Sequence, residues 1–267
     1  MNLHFAPKYF SNPTHPITIT LIGVGGTGSL ILSRLARIDY ALKNLNHPGL
    51  FVIAFDNDIV EKNNIGRQNF NINDIGENKA FALISKINNN FGLNWKAVKE
   101  NYTTKVANPL TTNIIISCVD SGKFRDSFND WFLSNDKMNV SDYKTPYYWL
   151  DLGNSRKKGQ IILGSLEIEQ PTSENYTSIS KLETIIELFG KTEQHDTLEI
   201  QGNSCSYNGK LQQQSLFIND AISVYASDLL FELINEKMLQ KQGLFLNLEN
   251  FKSNPIKIKK IMKNISA

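Results

Sequence analysis

This chain has only two cysteines, Cys118 and Cys205, in 267 residues. Two thiols cannot make a disulfide framework or a four-cysteine zinc site, so no structural zinc is expected, and a reducing cytoplasm is the expected setting. The four histidines, His4, His15, His47 and His195, show no metal-ligand spacing and are read as surface residues. Neither sign of charge dominates. Against 28 Lys and Arg stand 26 Asp and Glu, a net of +2, which leaves no basic excess for a nucleic-acid face. No apolar run approaches the roughly 20 residues that span a bilayer, and there is no internal repeat. The first residues, MNLHFAPKYF, lack the charged start and apolar middle of a signal peptide. Neither nucleic acid nor membrane is therefore expected as a partner.

What is present is material for a core: 41% of the residues are hydrophobic, enough for one globular unit. Met1 to Pro16 reads as an irregular lead-in, with Pro7, Pro13 and Pro16 opposing a helix. Ile17 to Ile22 is a short β-branched run, followed at once by Gly23-Val24-Gly25-Gly26-Thr27-Gly28 and a helical pattern from about Gly26 to Asn44. Leu50 to Phe55 is a second buried strand. Ile59 to Ile75 is a polar, asparagine-rich loop without a pattern of its own. A helix is predicted from about Asn78 to Asn89, a weak strand over Trp95 to Asn101 and a strong strand over Asn113 to Val119. Ser121 is placed to cap a helix from about Gly122 to Leu133. Tyr147 to Leu152 is another strand, with Gly159 to Leu166 as an antiparallel edge. Lys181 to Phe189 is predicted as a short helix, Leu211 to Gln240 as the longest one, and Gly243 to Ile258 as a closing hairpin around Asn250.

Strands alternating with helices predict an α/β fold: a Rossmann-like, mostly parallel sheet with helices on both faces, antiparallel edge strands and a long C-terminal helix. In such sheets ligands bind beyond the carboxyl ends of the strands. Gly23, Asp56 and Asp120 each follow a strand end, so the fold should gather them on one edge.

The glycine turn supplies backbone N–H groups at a helix start, where an anion is favoured. Taken alone, Gly23, Gly25, Gly26 and Gly28 fit a nicotinamide or flavin site with Asp56 on the ribose. The following loop shifts that reading. Asp58, Asn64, Arg67, Gln68 and Lys79 come next, and a triphosphate, unlike a dinucleotide, needs cations of this kind. Asp120 suits Mg²⁺, which takes one or two carboxylates plus phosphate oxygens. Each residue also has an ordinary role open to it. Asp56 and Asp58 can be turn residues, Arg67 and Lys79 solvated charges, Asn64 a turn cap, Gln68 a loop amide and Asp120 a helix cap. Arg125, one turn further on, can pair with Asp120.

Gly23 to Ser29, then Asp56-Asn57-Asp58-Ile59-Val60 with Asn64 and Arg67-Gln68, then Lys79, then Cys118-Val119-Asp120 with Arg125, together resemble the ThiF family. That family includes adenylyltransferases of thiamine and molybdopterin biosynthesis and the ubiquitin-activating enzymes. The segments Ser204-Cys205-Ser206 and Gln214 to Asn219 resemble a narrower group, the ThiF-family proteins of the mobile-element-associated PRTRC gene system. The resemblance implies one adenylation domain over residues 1–267: a nucleotide-binding core over 17–153, a crossover loop over 172–210 and a C-terminal helix and hairpin over 211–267. It implies that the C-terminal carboxylate of a ubiquitin-like protein, ending in glycine, attacks the α-phosphate of ATP to give an acyl-adenylate. By position Asp56 would bind ribose, Arg67 and Lys79 the phosphates, and Asp120 the Mg²⁺, while Asn64 and Gln68 would orient loop and nucleotide. Cys205 would be the thioester acceptor, with a role-less loop cysteine as the alternative, and Cys118 a core residue. A homodimer is also implied, although the N-terminal arginine that relatives lend across it is missing; Lys8 is a candidate substitute. The rival readings are an NAD-dependent oxidoreductase and a non-catalytic scaffold that recruits a partner.

Overall fold

The computed structural model describes residues 1–103, 112–137, 141–191 and 215–260. The first parallel unit begins with β2 (Ile17–Ile22), which runs through the glycine turn into α2 (Gly26–Asn44) and returns as β3 (Leu50–Phe55). Next come α3 (Lys79–Phe91) and the short β4 (Lys96–Val98). The chain then crosses to the far side of β2 as β5 (Ile114–Ser117), followed by α4 (Gly122–Ser134) and β6 (Tyr148–Asn154). These five strands are parallel in the order β6-β5-β2-β3-β4. Ile19 of β2 lies opposite Val52 of β3 on one side and Ile114 of β5 on the other. Strand order therefore reverses between β2 and β5, the place where open α/β sheets leave a crevice.

The antiparallel edge strands and the closing hairpin join the same sheet. β7 (Lys158–Ser165) pairs with β6, and β10 (Lys241–Asn247) and β11 (Lys252–Lys257) add a hairpin beyond it, giving an eight-stranded sheet. A second sheet of three strands has β1 (Asn2–Phe5) between β8 (Thr177–Ser178) and β9 (Met238–Leu239). The lead-in is thus ordered, and Pro7 does not prevent a helical turn: it is the N-cap of α1 (Lys8–Ser11), a position where its missing N–H costs nothing.

The alternation of each strand sorts its residues between two cores. Ile19 and Leu21 of β2 and Val52 of β3 pack with Leu32 and Leu35 of α2 and Leu83 and Ile87 of α3. The last long helix, α6 (Ile218–Asn235), joins this face through Ile222, Leu229, Leu230 and Leu233. On the opposite face Ile115 and Trp149 meet Phe128 and Phe132 of α4, and Ile185 of the short α5 (Ile185–Phe189) closes that core. Deleting such a side chain to alanine costs about 3–5 kcal/mol for Phe and about 2–5 for Ile or Leu.

Two helices are shorter than their patterns. In α5 the capping box of Thr184 and Glu187 sets the start at Ile185, four residues beyond Lys181. In α6 Ser215 to Phe217 form a turn before the helix, and residues 211–214 lie outside the described ones. Its end comes early because Lys237 takes φ 61° and turns the chain into β9. The loop between β3 and α3 is also built. It holds 3₁₀ turns at Lys62–Asn64 and Ile72–Asp74, the first boxed by Glu61 with Asn64 and the second by Asn71 with Asp74. His4 is not on the surface. It is fully buried beneath β6, with Nδ1 2.7 Å from the Ile179 carbonyl and Nε2 2.9 Å from the Tyr148 hydroxyl. Burial lowers its pKa to about 4, so the ring is neutral and Tyr148 donates to Nε2. His47 is half-buried for a related reason, accepting from Gly49 N–H in the turn before β3.

Candidate active site at the carboxyl edge of the sheet

The glycine turn connects β2 to α2 beside the strand-order reversal. Ser29 N–H donates to Gly25 O at 3.0 Å, the first bond of the helix, so the N–H groups of Gly25 to Gly28 have no intrahelical acceptor. Gly23 sits at φ +87°, and a Cβ there would lie 2.8 Å from the Cys118 carbonyl. Gly28 must be small because its Cβ would meet Gly23 O. Only at Gly25, among these four, would a Cβ enter open space. Most of the motif is therefore dictated by how tightly strand, turn and helix pack on one another, and Gly25 marks the side open to a ligand.

Asp56, at the end of β3, reaches back to this turn. One carboxylate oxygen accepts from Val24 N–H at 2.6 Å and the other from Asp58 N–H at 2.8 Å. Burial raises the Asp56 pKa above its ordinary value, against the opposing pull of these N–H groups and Lys79. Asn78 ties the same corner together. Its Oδ1 caps α3 by accepting from Phe81 N–H, and its Nδ2 donates to the carbonyls of Asp56 and Asp58 at 2.8 and 3.1 Å. Lys79 follows immediately. Its stem is buried, and Nζ is 2.8 Å from Asp58 Oδ2, whose own side chain is 61% exposed. Lys79 is thus not a loose surface charge but a cation held at the edge by a replaceable partner.

The β3–α3 loop is docked on the first turns of α2. Asn69 N–H donates to Ser29 Oγ at 3.1 Å and its Nδ2 to Ser33 Oγ at 2.5 Å. This places Arg67 and Gln68, both partly buried, beside the helix start. Asn64 organises the loop: Glu61 N–H donates to its Oδ1 at 2.8 Å, and its carbonyl accepts from Arg67 and Gln68 N–H at 3.2 and 2.9 Å. Gln68 Oε1 is buried without a hydrogen-bond partner.

Asp120 ends the loop after β5, which rests on Gly23 through Cys118. The carboxylate is exposed, and the following helix is capped by Ser121, whose Oγ accepts from Phe124 N–H. Asp120 is therefore not the cap of α4. Nor does Arg125 pair with it. Arg125 Nε binds Asp151 at 2.9 Å, and Nη2 donates to Val119 O at 2.8 Å. Asp151, 1% exposed, also accepts from Ser117 Oγ, which itself accepts from Trp149 Nε1. Asp151 follows no turn signal and sits mid-strand, so nothing local marked it as Arg125's partner. Cys118 packs partly buried against the core, and burial pushes its thiol pKa up, away from reactivity. Cys205 lies outside the described residues. Among those residues no group of three or more His, Cys, Asp or Glu is placed to hold a metal, and no helix is long and apolar enough to cross a membrane.

A mostly parallel sheet with a glycine turn beside its strand-order reversal, an acidic residue at the end of β3 and a buried lysine at the start of α3 defines a Rossmann-like α/β fold. The chain matches the ThiF family over residues 14–252, and it belongs to that family. Its fold is similar to that of PaaA, with a TM-score of 0.58 and 15% identity over 92% of this chain and 65% of that one. It is likewise similar to E. coli MccB crystallised with ATP (TM-score 0.58, 15% identity, 92% and 65%). The same enzyme crystallised with AMPCPP and MccA gives 0.59 at 14% identity, again over 92% and 65%. The chain thus spans 65% of the length of these structures. A comparison with curated proteins gives no match.

Proposed function

We propose that this chain is an ATP-dependent adenylyltransferase that activates the C-terminal carboxylate of a ubiquitin-like protein ending in glycine. The observation that carries the reading is the meeting of the β2 glycine turn with the β5–α4 loop at the strand-order reversal, with Asp56 and Lys79 on the same edge. MccB supports it as a protein of like fold that has been crystallised with ATP, and with AMPCPP together with MccA.

The residues fit the substrate. The N–H groups of Gly25 to Gly28 form an anion cradle, and the space at Gly25 admits it. Asp56 keeps unused lone pairs on both oxygens for ribose hydroxyls. Lys79 exchanges exposed Asp58 for phosphate, and Arg67 adds a second cation from the docked loop. Asn64 and Gln68 set that loop's shape. Asp120 is a single exposed carboxylate, the donor set that Mg²⁺ shares with phosphates and water. Mg²⁺ there would neutralise phosphate charge. In the reaction the partner's carboxylate oxygen bonds to the α-phosphorus while the bond to the β-bridging oxygen breaks, releasing pyrophosphate. Lys79 and Arg67 stabilise the charge that develops, and the rest is alignment.

The reading also includes thioester transfer to Cys205, membership of the mobile-element subgroup and a homodimer. For the last, Lys8 is held within its own chain by Glu169 at 2.9 Å, an exposed pair that a nucleotide can exchange. The test is ATP–pyrophosphate exchange with purified chain and a ubiquitin-like protein encoded beside it. Exchange should require the partner's terminal carboxylate and fall on the order of 10²–10³-fold in Asp120→Ala. No exchange with any such partner overturns the reading. A reducible higher-mass conjugate that survives in Cys205→Ala removes the thioester step alone.

A further inference from the structure

Gly26 is not in the left-handed region of backbone space, so its conformation does not demand glycine. A Cβ there would instead lie 2.6 Å from Asn219 Nδ2 and 2.9 Å from Asn219 Cγ. Asn219 is the second residue of α6, far along the chain, and 3% exposed. Its Oδ1 accepts from Thr27 Oγ1 at 2.9 Å and from Asn154 Nδ2 at 2.5 Å. Thr27 belongs to the first turn of α2 and Asn154 to the carboxyl end of β6, so one side-chain carbonyl joins three elements. A second glycine makes room for the same helix: at Gly159 of β7 a Cβ would lie 2.5 Å from Ile222 Cδ1. The opening turn of α6 is thus seated in two glycine notches, one of them inside the phosphate-binding turn.

We propose that Asn219 is a positioning residue for nucleotide binding, and that Gly26 is glycine in order to receive its amide rather than to admit phosphate. This rests on the reading of the turn as the ATP site. The N–H groups of Gly25 to Gly28 bind an anion only if they point together, and Thr27 lies in the middle of that run. Clamping its hydroxyl from α6 fixes the run's direction before ligand arrives, so less ordering remains to be done on binding. The Asn154 bond holds the clamp to the sheet rather than letting α6 and α2 move as a pair.

The test pairs two measurements on the full chain. Amide hydrogen exchange without nucleotide reports the turn itself, and titration with ATP and Mg²⁺ reports its use. Asn219→Ala should speed exchange at Gly25 to Gly28 and weaken ATP on the order of tenfold, because a misaligned site loses that much or more. Gly26→Ala should weaken ATP on the order of tenfold, and the double variant Gly26→Ala/Asn219→Ala should bind no worse than Asn219→Ala alone, since contacting sites couple. If Gly26→Ala costs as much without Asn219 as with it, the glycine serves the ligand and the proposal is overturned. If Asn219→Ala does not fold, Thr27→Val removes the same hydrogen bond at nearly constant volume, and unchanged ATP affinity and exchange there overturn it equally. If the unaltered chain binds no ATP, the functional reading fails while the exchange experiment still decides whether Asn219 sets the turn.

Discussion

Two acidic corners flank β2 at the carboxyl edge, and they are built on opposite principles. On the β3 side the carboxylates carry their own structure. Asp56 is half-buried with an N–H on each oxygen, and Asp58 holds Lys79. On the β5 side Asp120 is exposed, and the structural work lies one layer deeper, where Asp151 neutralises Arg125 and Arg125 holds Val119 O. A carboxylate that supports its own loop has few lone pairs left for a ligand. One whose loop is supported by other groups keeps them all. In the proposed function the first corner takes ribose and the second a metal-bearing phosphate.

The contrast breaks most readily at Asp151. Asp151→Ala leaves a buried guanidinium without its partner and should cost about 3–5 kcal/mol, read as a lower urea midpoint at unchanged slope. Asp120→Ala, by contrast, should leave stability within about 0.5 kcal/mol, as a surface change does, while lowering the exchange rate on the order of 10²–10³-fold. Equal stability losses in the two variants would erase the distinction. A smaller effect is expected at Asp58. Because that pair is more than half exposed on one side, Asp58→Asn should change stability by less than about 1 kcal/mol. It should also remove the competitor that ATP must displace from Lys79, so affinity measured by calorimetry should not fall.

The smallest effect lies in the pH response of Asp56. Its folded pKa is raised by burial, so the native state takes up this proton before the unfolded chain does. The group therefore lowers stability above its folded pKa, and the penalty is relieved as pH falls through that value. Urea unfolding across the carboxylate range should show this contribution disappear in Asp56→Asn. An Asp56 carbon resonance titrating at or below the ordinary aspartate value would contradict it.

Much of this edge was readable beforehand because it is local. Ile17 to Asn44 is strand, turn and helix within one stretch, and α2 ends at Asn44 as its pattern predicts. The strand ends at Phe55 and near Cys118 follow from apolar runs meeting aspartates. What escaped reading joins distant segments. His4 looks like a surface residue until β1 is laid against β8 and β9. Asp120 lies only five residues before Arg125, yet Asp151 on the neighbouring strand is its partner in space. Asn219 carries no local signal at all, since an amide at a helix start is ordinarily a capping residue.

The sequence by itself determined the family, the parallel core and the set of polar residues at its edge, because periodicity and short-range spacing are properties of contiguous chain. Only the tertiary structure decided which of those residues are occupied and which are available. Hydrogen bonds and ion pairs are allotted by distance in space, and the sheet brings Asp151 to Arg125 and Asn219 to Thr27 across 26 and 192 positions.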